Sequence, residues 1–374
     1  MGFQDFLGNA QTVTHLRESI RADRFPHSLI LAGPRGAGKY TLALMLARAV
    51  NCLNPTESPS ASGPLPDFCG VCSNCVRIGE AANLEERVTE AVEARDDLRE
   101  TDKRETRILI QTHPDVLIVP PDPPQLLIKM GQVRQVIHVA YYRPPVEAKR
   151  TFTIFTSSAF MREAANSLLK VLEEPPEHTS LILLTENPQE LLPTIRSRAV
   201  IHRLGALPAA DLEALLGTRR RLLKPQDRAL AARLAEGAVG RALTIDLDVY
   251  LASRQDALVI LRTALREPDY TQLFHATESY RAGADGQEKS INLLRGLGSL
   301  IEDLLLVIAG SPSLIRNIDI APELDRLAQG LTVDWIDGAA RALVQVESGM
   351  RRNLLRSLSL DAMAVGMERI DSRI

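Results

Sequence analysis

Leu29 to Ala49 reads LILAGPRGAGKYTLALMLARA: a short apolar run, a glycine-rich turn and then a helical pattern. Gly33, Gly36 and Gly38 permit backbone angles and close approaches that a side chain would block. Consecutive N–H groups in such a turn point inward and cradle phosphate, aided by the N-terminus of the following helix. Lys39 stands where a P-loop lysine reaches the outer phosphates, and the spacing from Gly33 to Gly38-Lys39 fits G-x-x-x-x-G-K. The next position departs from that pattern. A P-loop carries Ser or Thr there, to place a hydroxyl on Mg²⁺. This chain has Tyr40, with Thr41 one step late. A phosphate cradle is expected, with its metal ligand displaced.

The flanking sequence supplies the rest of an α/β domain. Val13, Leu16 and Ile20 have helical spacing, and HSLILAG (27–33) leads into the loop as a strand. Further strands are expected within THPDVLIVPP (112–121), TFTIFTSS (151–158), SLILLTEN (180–187) and AVIHRL (199–204). Between them, 130–142 reads as a helix stopped by Pro144-Pro145, and REAANSLLKVLEEPP as one ended by Pro175-Pro176. Strands alternating with helices imply a parallel sheet covered on both faces. After Pro208 strand-like runs stop and Leu- and Ala-rich helical periodicity continues to the end.

The chain has 374 residues, which implies two or three domains, and 45% apolar content supports real cores. A net charge of −3 argues against an autonomous, charge-driven nucleic-acid binder. The N-terminus shows no signal segment and no run is long enough to span a membrane, so a cytoplasmic protein is expected.

All four cysteines, Cys52, Cys69, Cys72 and Cys75, lie in one segment with the spacing C-x16-C-x2-C-x2-C. Thiolates at C-x2-C spacing read as a closed, tetrahedral, structural Zn²⁺ site. A disulfide pair fits a cytosolic setting poorly; free buried thiols are the other alternative. The Pro- and Ser-rich stretch 54–67 is expected to arch between the first ligand and the rest. Residues 80–107 hold ten acidic and six basic side chains, with a thin stripe of Leu84, Val88, Val92 and Leu98. This predicts an exposed helical insertion.

A P-loop ATPase also needs an Asp to support Mg²⁺ and a Glu to polarise the attacking water, at the end of a neighbouring strand. The strand in the right place, Thr151 to Thr156, runs into Ser157, Ser158, Ala159 and Phe160. No Asp or Glu occurs between Glu147 and Glu163. Phe155 and Thr156 stand where the acids belong. With Tyr40, this removes both protein handles on Mg²⁺, and no ATPase activity is expected of the chain itself.

REAANSLLKVLEEPPEHTSLILLTENPQELLPTIRSRAVIHRL (162–204) resembles the signature region of bacterial clamp-loader subunits of the AAA+ family, most of all the δ′ subunits of DNA polymerase III. The P-loop, the four cysteines, THPD and LLKVLEEPP occur in that family's order. The resemblance covers 1–204 specifically and the helical remainder more weakly, where RRNLLRSLSLDAM (351–363) resembles the end of a collar domain. It implies a P-loop core with the cysteine module 52–75 over residues 1–204, a helical lid over 205–245, and an all-α collar over 246–374; the charged insertion 80–107 within the core is longer than usual for that family, and the resemblance gives it no role. It also implies a stator-like, non-catalytic role in a ring that loads the sliding clamp on primed DNA. The partners would be γ/τ ATPase subunits and a δ subunit, with clamp and DNA met through the complex. The family's Ser-Arg-Cys motif gives an arginine finger to the adjacent ATP site. The matching residues here are Ser197, Arg198 and Ala199. Gly240 stands where AAA+ motors carry a lid arginine, with Arg241 one step later. Two questions stay open at this level: whether Gly33–Lys39 still takes ATP or ADP, and whether the chain is instead a γ/τ-type motor.

Overall fold

The expected apolar runs become strands of one sheet in the computed structural model, which describes residues 2–60, 63–99, 102, 106–123, 125–142, 145–265, 270–280, 283–350 and 356–368. By contact the chain divides into two units, residues 1–207 with 238–240, and residues 208–237 with 241–374.

The first unit holds strands β1 (Ser28–Ala32), β2 (Thr56–Ser58), β3 (Leu65–Asp67), β4 (Ile110–His113), β5 (Val116–Val119), β6 (Thr151–Phe155), β7 (Thr179–Thr185) and β8 (Val200–Arg203). Six of them form the sheet β4-β5-β6-β7-β1-β8, and β2 pairs with β3 in a separate hairpin. From β5 to β8 every pairing is parallel. The edge strand β4 runs antiparallel to β5, so the sheet is mixed where an all-parallel one was expected. The run 112–121 is read as one strand in sequence; in the structure the chain reverses at Pro114-Asp115 and contributes two.

Side-chain alternation explains why these strands look uniformly apolar. Leu29, Leu31, Phe152, Ile154, Ile182 and Leu184 point to one face, into a core with Leu16, Leu42, Met45 and Leu46. Ile30, Leu117, Val119, Leu181 and Leu183 point to the other, into a core with Val133, Val136, Leu168 and Val171. A strand covered on both faces has no polar phase. Each such Leu or Ile contributes roughly 1.5–3 kcal/mol on burial. The covering helices are Ala10–Arg21 and Lys39–Asn51 on the first face, Met130–Tyr142 and Arg162–Glu173 on the second.

The stretch 54–67, expected to be a plain loop, contains the β2–β3 hairpin. Arg17, only 3% exposed, holds it: its guanidinium donates to the carbonyls of Ser58, Leu65 and Pro66 and lies over the Phe3 ring. The Asp67 carboxylate accepts from Ser58 Oγ and from the N–H groups of Phe3 and Phe68. Within the insertion, helix Leu84–Asp96 forms as expected. Residues 100, 101 and 103–105 lie outside the described residues.

Helices are the only regular elements among the described residues of the second unit. Leu258, Leu261, Leu297, Leu300, Leu304, Trp335 and Leu360 form its core, and Trp335 Nε1 donates to the Met367 carbonyl. Helix Pro225–Leu234 belongs to it, through Arg233 donating to the carbonyls of Ser313 and Ile315 at 2.8 Å each. A buried network centres on Asn317 and Asp303, with Arg254 donating to Asn317 and to both oxygens of Asp319.

Candidate functional site

The P-loop follows β1 as the sequence requires. Gly33, Gly36 and Gly38 have φ of 152°, 83° and 85°, inside the region where side chains are strained. Space adds a second reason at two of them. A Cβ on Gly33 would sit 2.5 Å from the Leu204 carbonyl oxygen, and one on Gly38 would sit 2.9 Å from the Phe6 ring. Gly38 caps helix Lys39–Asn51. The Gly240 N–H donates to the Gly36 carbonyl at 2.8 Å, and a Cβ there would lie 3.1 Å from that oxygen. The guanidinium of Arg241 is engaged elsewhere, with Glu236.

Lys39 turns back onto its own loop. Its Nζ donates to the carbonyls of Gly33 at 2.6 Å and Pro34 at 2.9 Å. Burial lowers its pKa from the usual lysine range, and the field of Glu186 opposes that lowering. Tyr40 points away from the loop: its hydroxyl donates to the Ala81 carbonyl at 2.6 Å, and burial pushes its pKa up. It therefore braces the start of the insertion and places no oxygen at the phosphate position. At the end of β6, Phe155 is fully buried against Phe160, with ring centroids 5.3 Å apart. The Ser158 hydroxyl donates to Glu190. No carboxylate occupies the residues that follow β6.

The four cysteines come together. Their Sγ atoms all lie within 4.8 Å of one another. Cys52 Sγ is 3.5 Å from Cys69, 3.9 Å from Cys72 and 3.6 Å from Cys75. Four sulfurs placed at about 2.3 Å around a tetrahedral ion would be about 3.8 Å apart, so the donor set fits a metal ion of that kind. Backbone N–H groups of Cys69 and Cys72 point at the sulfurs of Cys52 and Cys69, at 3.3 Å each. Burial raises the Cys52 and Cys75 thiols. Burial also acts to raise Cys72, but N–H donation from Cys75 and Leu53 outweighs it, for a net pKa of about 6. A divalent ion would take all four as thiolates.

Arg198 is not brought to the P-loop. It follows the short helix Pro193–Arg196 and precedes β8. Strand β8 runs parallel to β1 with Val200 opposite Leu29, so Arg198 is level with residue 27. The P-loop leaves the other end of β1, roughly 20 Å further along the sheet at about 3.3 Å per residue. The Arg198 guanidinium is exposed and pairs with Glu173 at 2.9 Å.

Three residues that sequence reasoning passed over act around these elements. Arg17 carries the cysteine-side hairpin, as described. Asp115, from THPD, is 2% exposed and accepts N–H bonds from Val146, Glu147 and Ala148 at 3.0, 2.8 and 3.0 Å, fixing the chain ahead of β6. Glu186 follows β7 and was overlooked because acids were sought after β6; its signal is the acid in TEN after an apolar strand.

A P-loop strand flanked by β7 and β8 in a parallel array, with helices on both faces and a helical unit after it, defines a P-loop protein of the AAA+ class. The family model described as "DNA polymerase III, delta subunit" matches residues 8–208, more than half of the chain. DNA polymerase III subunit gamma/tau of Mycobacterium bovis is 27% identical over 355 residues, 87% of this chain and 53% of that protein. DNA polymerase III subunit delta′ of Bacillus subtilis is 34% identical over 184 residues, 49% of this chain and 43% of that protein. A solved structure of a gamma-subunit-related DNA polymerase III protein from Thermotoga maritima is 18% identical, covers 96% of this chain and 99% of that one, and has a TM-score of 0.39. The chain spans about half the length of the curated relatives it matches. It belongs to the DNA polymerase III delta subunit family, within the AAA+ clamp-loader proteins. No helix among the described residues is long and apolar enough to cross a membrane.

Proposed function

We propose that this chain is a non-catalytic subunit of the DNA polymerase III clamp loader, of the δ′ kind. In this reading it joins γ/τ ATPase subunits and a δ subunit, helps place the sliding clamp on primed DNA, and lends Arg198 to the ATP site of its neighbour. It works in the cytoplasm. Residues 1–204 serve as core, 205–245 as lid and 246–374 as collar. Cys52, Cys69, Cys72 and Cys75 hold a structural Zn²⁺, which ties residue 52 to 69–75 and keeps no open position for chemistry.

One observation carries the non-catalytic reading: the loop keeps its glycines and Lys39 but lacks both of the groups that hold Mg²⁺ in P-loop ATPases, the hydroxyl after the lysine and the acid after the neighbouring strand. Tyr40 spends its hydroxyl on Ala81, and β6 ends in Phe155 with no acid after it. The separation of Arg198 from its own loop supports a role in trans, because the arginine finger must touch the phosphoryl group it stabilises.

A second reading, a γ/τ-type motor, is favoured by the longer alignment to the gamma/tau relative. ATP hydrolysis by the pure chain separates the two. The proposal expects no Mg²⁺-dependent turnover alone, and stimulated turnover when the chain is mixed with γ/τ and δ subunits. Turnover by the chain alone that disappears in Lys39→Ala would establish the motor reading.

A further inference from the structure

We propose that Glu186 decides what the P-loop accepts, holding the Gly33–Lys39 cradle against nucleoside triphosphate. The inference rests on reading that loop as a phosphate cradle and adds a selectivity residue to it. Strand β7 pairs with β1 so that Thr185 lies opposite Ala32, and the Thr185 carbonyl accepts the Gly33 N–H at 3.1 Å. Glu186 therefore leaves the sheet level with Gly33, at the mouth of the loop. The turn around it is fixed. Thr185 Oγ1 donates to the Asn187 carbonyl at 2.8 Å, and Asn187 Oδ1 accepts the Gln189 N–H at 3.0 Å.

The Glu186 side chain is exposed and its charge is felt at Lys39; Arg35 is the cation whose field acts there in the opposite sense. Lys39 meanwhile stays on the carbonyls of Gly33 and Pro34. A terminal phosphate entering the loop must draw Lys39 off those oxygens and lie near a carboxylate. Like charges there repel, and because Glu186 is exposed the repulsion is strongest at low salt and is screened as salt rises. The repulsion grows with the charge carried furthest into the loop, so it weighs more on ATP than on ADP.

The test uses the full chain and calorimetric titration with ATP and with ADP, each with and without Mg²⁺. Glu186 is exposed, so Glu186→Gln should fold as the native chain does, with an unchanged melting temperature. It should bind ATP about threefold or more tighter than the native chain at low salt, with a smaller gain for ADP. Adding Lys39→Ala should remove the gain. ATP binding unchanged in Glu186→Gln overturns the assignment. Binding that weakens in Glu186→Gln only when Mg²⁺ is present also overturns it, and makes Glu186 a metal ligand. A gain that survives Lys39→Ala would place the nucleotide outside the Gly33–Lys39 loop, and then the cradle reading itself fails.

Discussion

Glu173 holds Arg198: the carboxylate Oε1 accepts from the guanidinium Nη2 at 2.9 Å, while Nη1 donates to the Thr194 carbonyl at 3.0 Å. The two residues come from separate motifs, LEEPP at the end of helix Arg162–Glu173 and SRA before β8. An exposed pair of this kind contributes about 0–1 kcal/mol. That is enough to orient the arginine and little enough to release it to a stronger charge.

Arg198→Ala should therefore leave the chain folded, with stability changed by less than about 1 kcal/mol. In reconstituted clamp loaders at equal assembly it should lower clamp- and DNA-stimulated hydrolysis by about tenfold or more at the neighbouring site. Arg198→Lys should not restore it, because an ammonium lacks the planar fork. Glu173→Ala should cost only a few-fold. Wild-type clamp loading by Arg198→Ala would remove this residue from the site.

Metal analysis of purified protein should find one Zn²⁺ per chain. Removing it with a chelator should expose four titratable thiols and loosen 69–75, while the rest of the fold persists. The β2–β3 hairpin is anchored separately by Arg17 and Asp67. Arg17→Ala in the metal-free protein should then melt well below either single change. Four thiols that titrate freely in the untreated protein, with well under one equivalent of metal, would contradict the site.

Asp115→Ala removes the acceptor of three N–H bonds from a 2%-exposed position. The donors lie on a part-buried loop where water can replace some of the lost bonds, so urea unfolding should show a loss of about 1–3 kcal/mol. Asp115→Asn keeps one carbonyl oxygen and should lose less. A loss below about 1 kcal/mol for the alanine variant would mean that the loop at 146–148 finds other partners.

His113 is fully buried, its Nδ1 accepts the Asp115 N–H at 3.1 Å, and its Nε2 has no partner among the described groups. Burial lowers its pKa; the carboxylates of Asp115 and Glu147 oppose this and Arg77 adds to it. The unfolded chain therefore binds a proton that the folded chain refuses. The stability of the neutral ring is fully present above the unfolded value of about 6.5 and is lost as the pH falls below it. Unfolding free energy should drop between about pH 7 and about pH 5, and His113→Gln should flatten that slope. A parallel slope in the variant would assign the acid sensitivity to other groups.

The sheet and the cysteine cluster were legible because their signals are local. Apolar runs marked β1, β5, β6 and β7, the short AVIHRL stretch marked β8, and Cys spacing alone drew four sulfurs together. Strand β4 was hidden because Ile110–His113 abuts β5 across a two-residue reversal, and periodicity cannot see a change of direction. The β2–β3 hairpin was hidden because each strand has three residues and its anchor is a buried arginine, a residue type normally read as surface. Tyr40 could be recognised as the wrong residue for Mg²⁺, but not as a brace for Ala81, since that contact spans forty-one positions. Glu186 depended on register, which pairs Thr185 with Ala32 across 153 residues of sequence.

The parallel pairing of β1 with β8 gives this molecule a head and a tail. Arg198, the proposed donor, lies at one end of the strands and the Gly33–Lys39 loop at the other. Two copies related by a two-fold axis bury identical patches, so they could not serve each other by this route unless both ends shared one patch. Use of Arg198 on a neighbour therefore demands a one-way series, each member facing the next like links laid in a single direction. On the proposed reading, a link that lends Arg198 and hydrolyses nothing in its own loop belongs at the terminus of such a series, and it sets the direction in which the remainder is read.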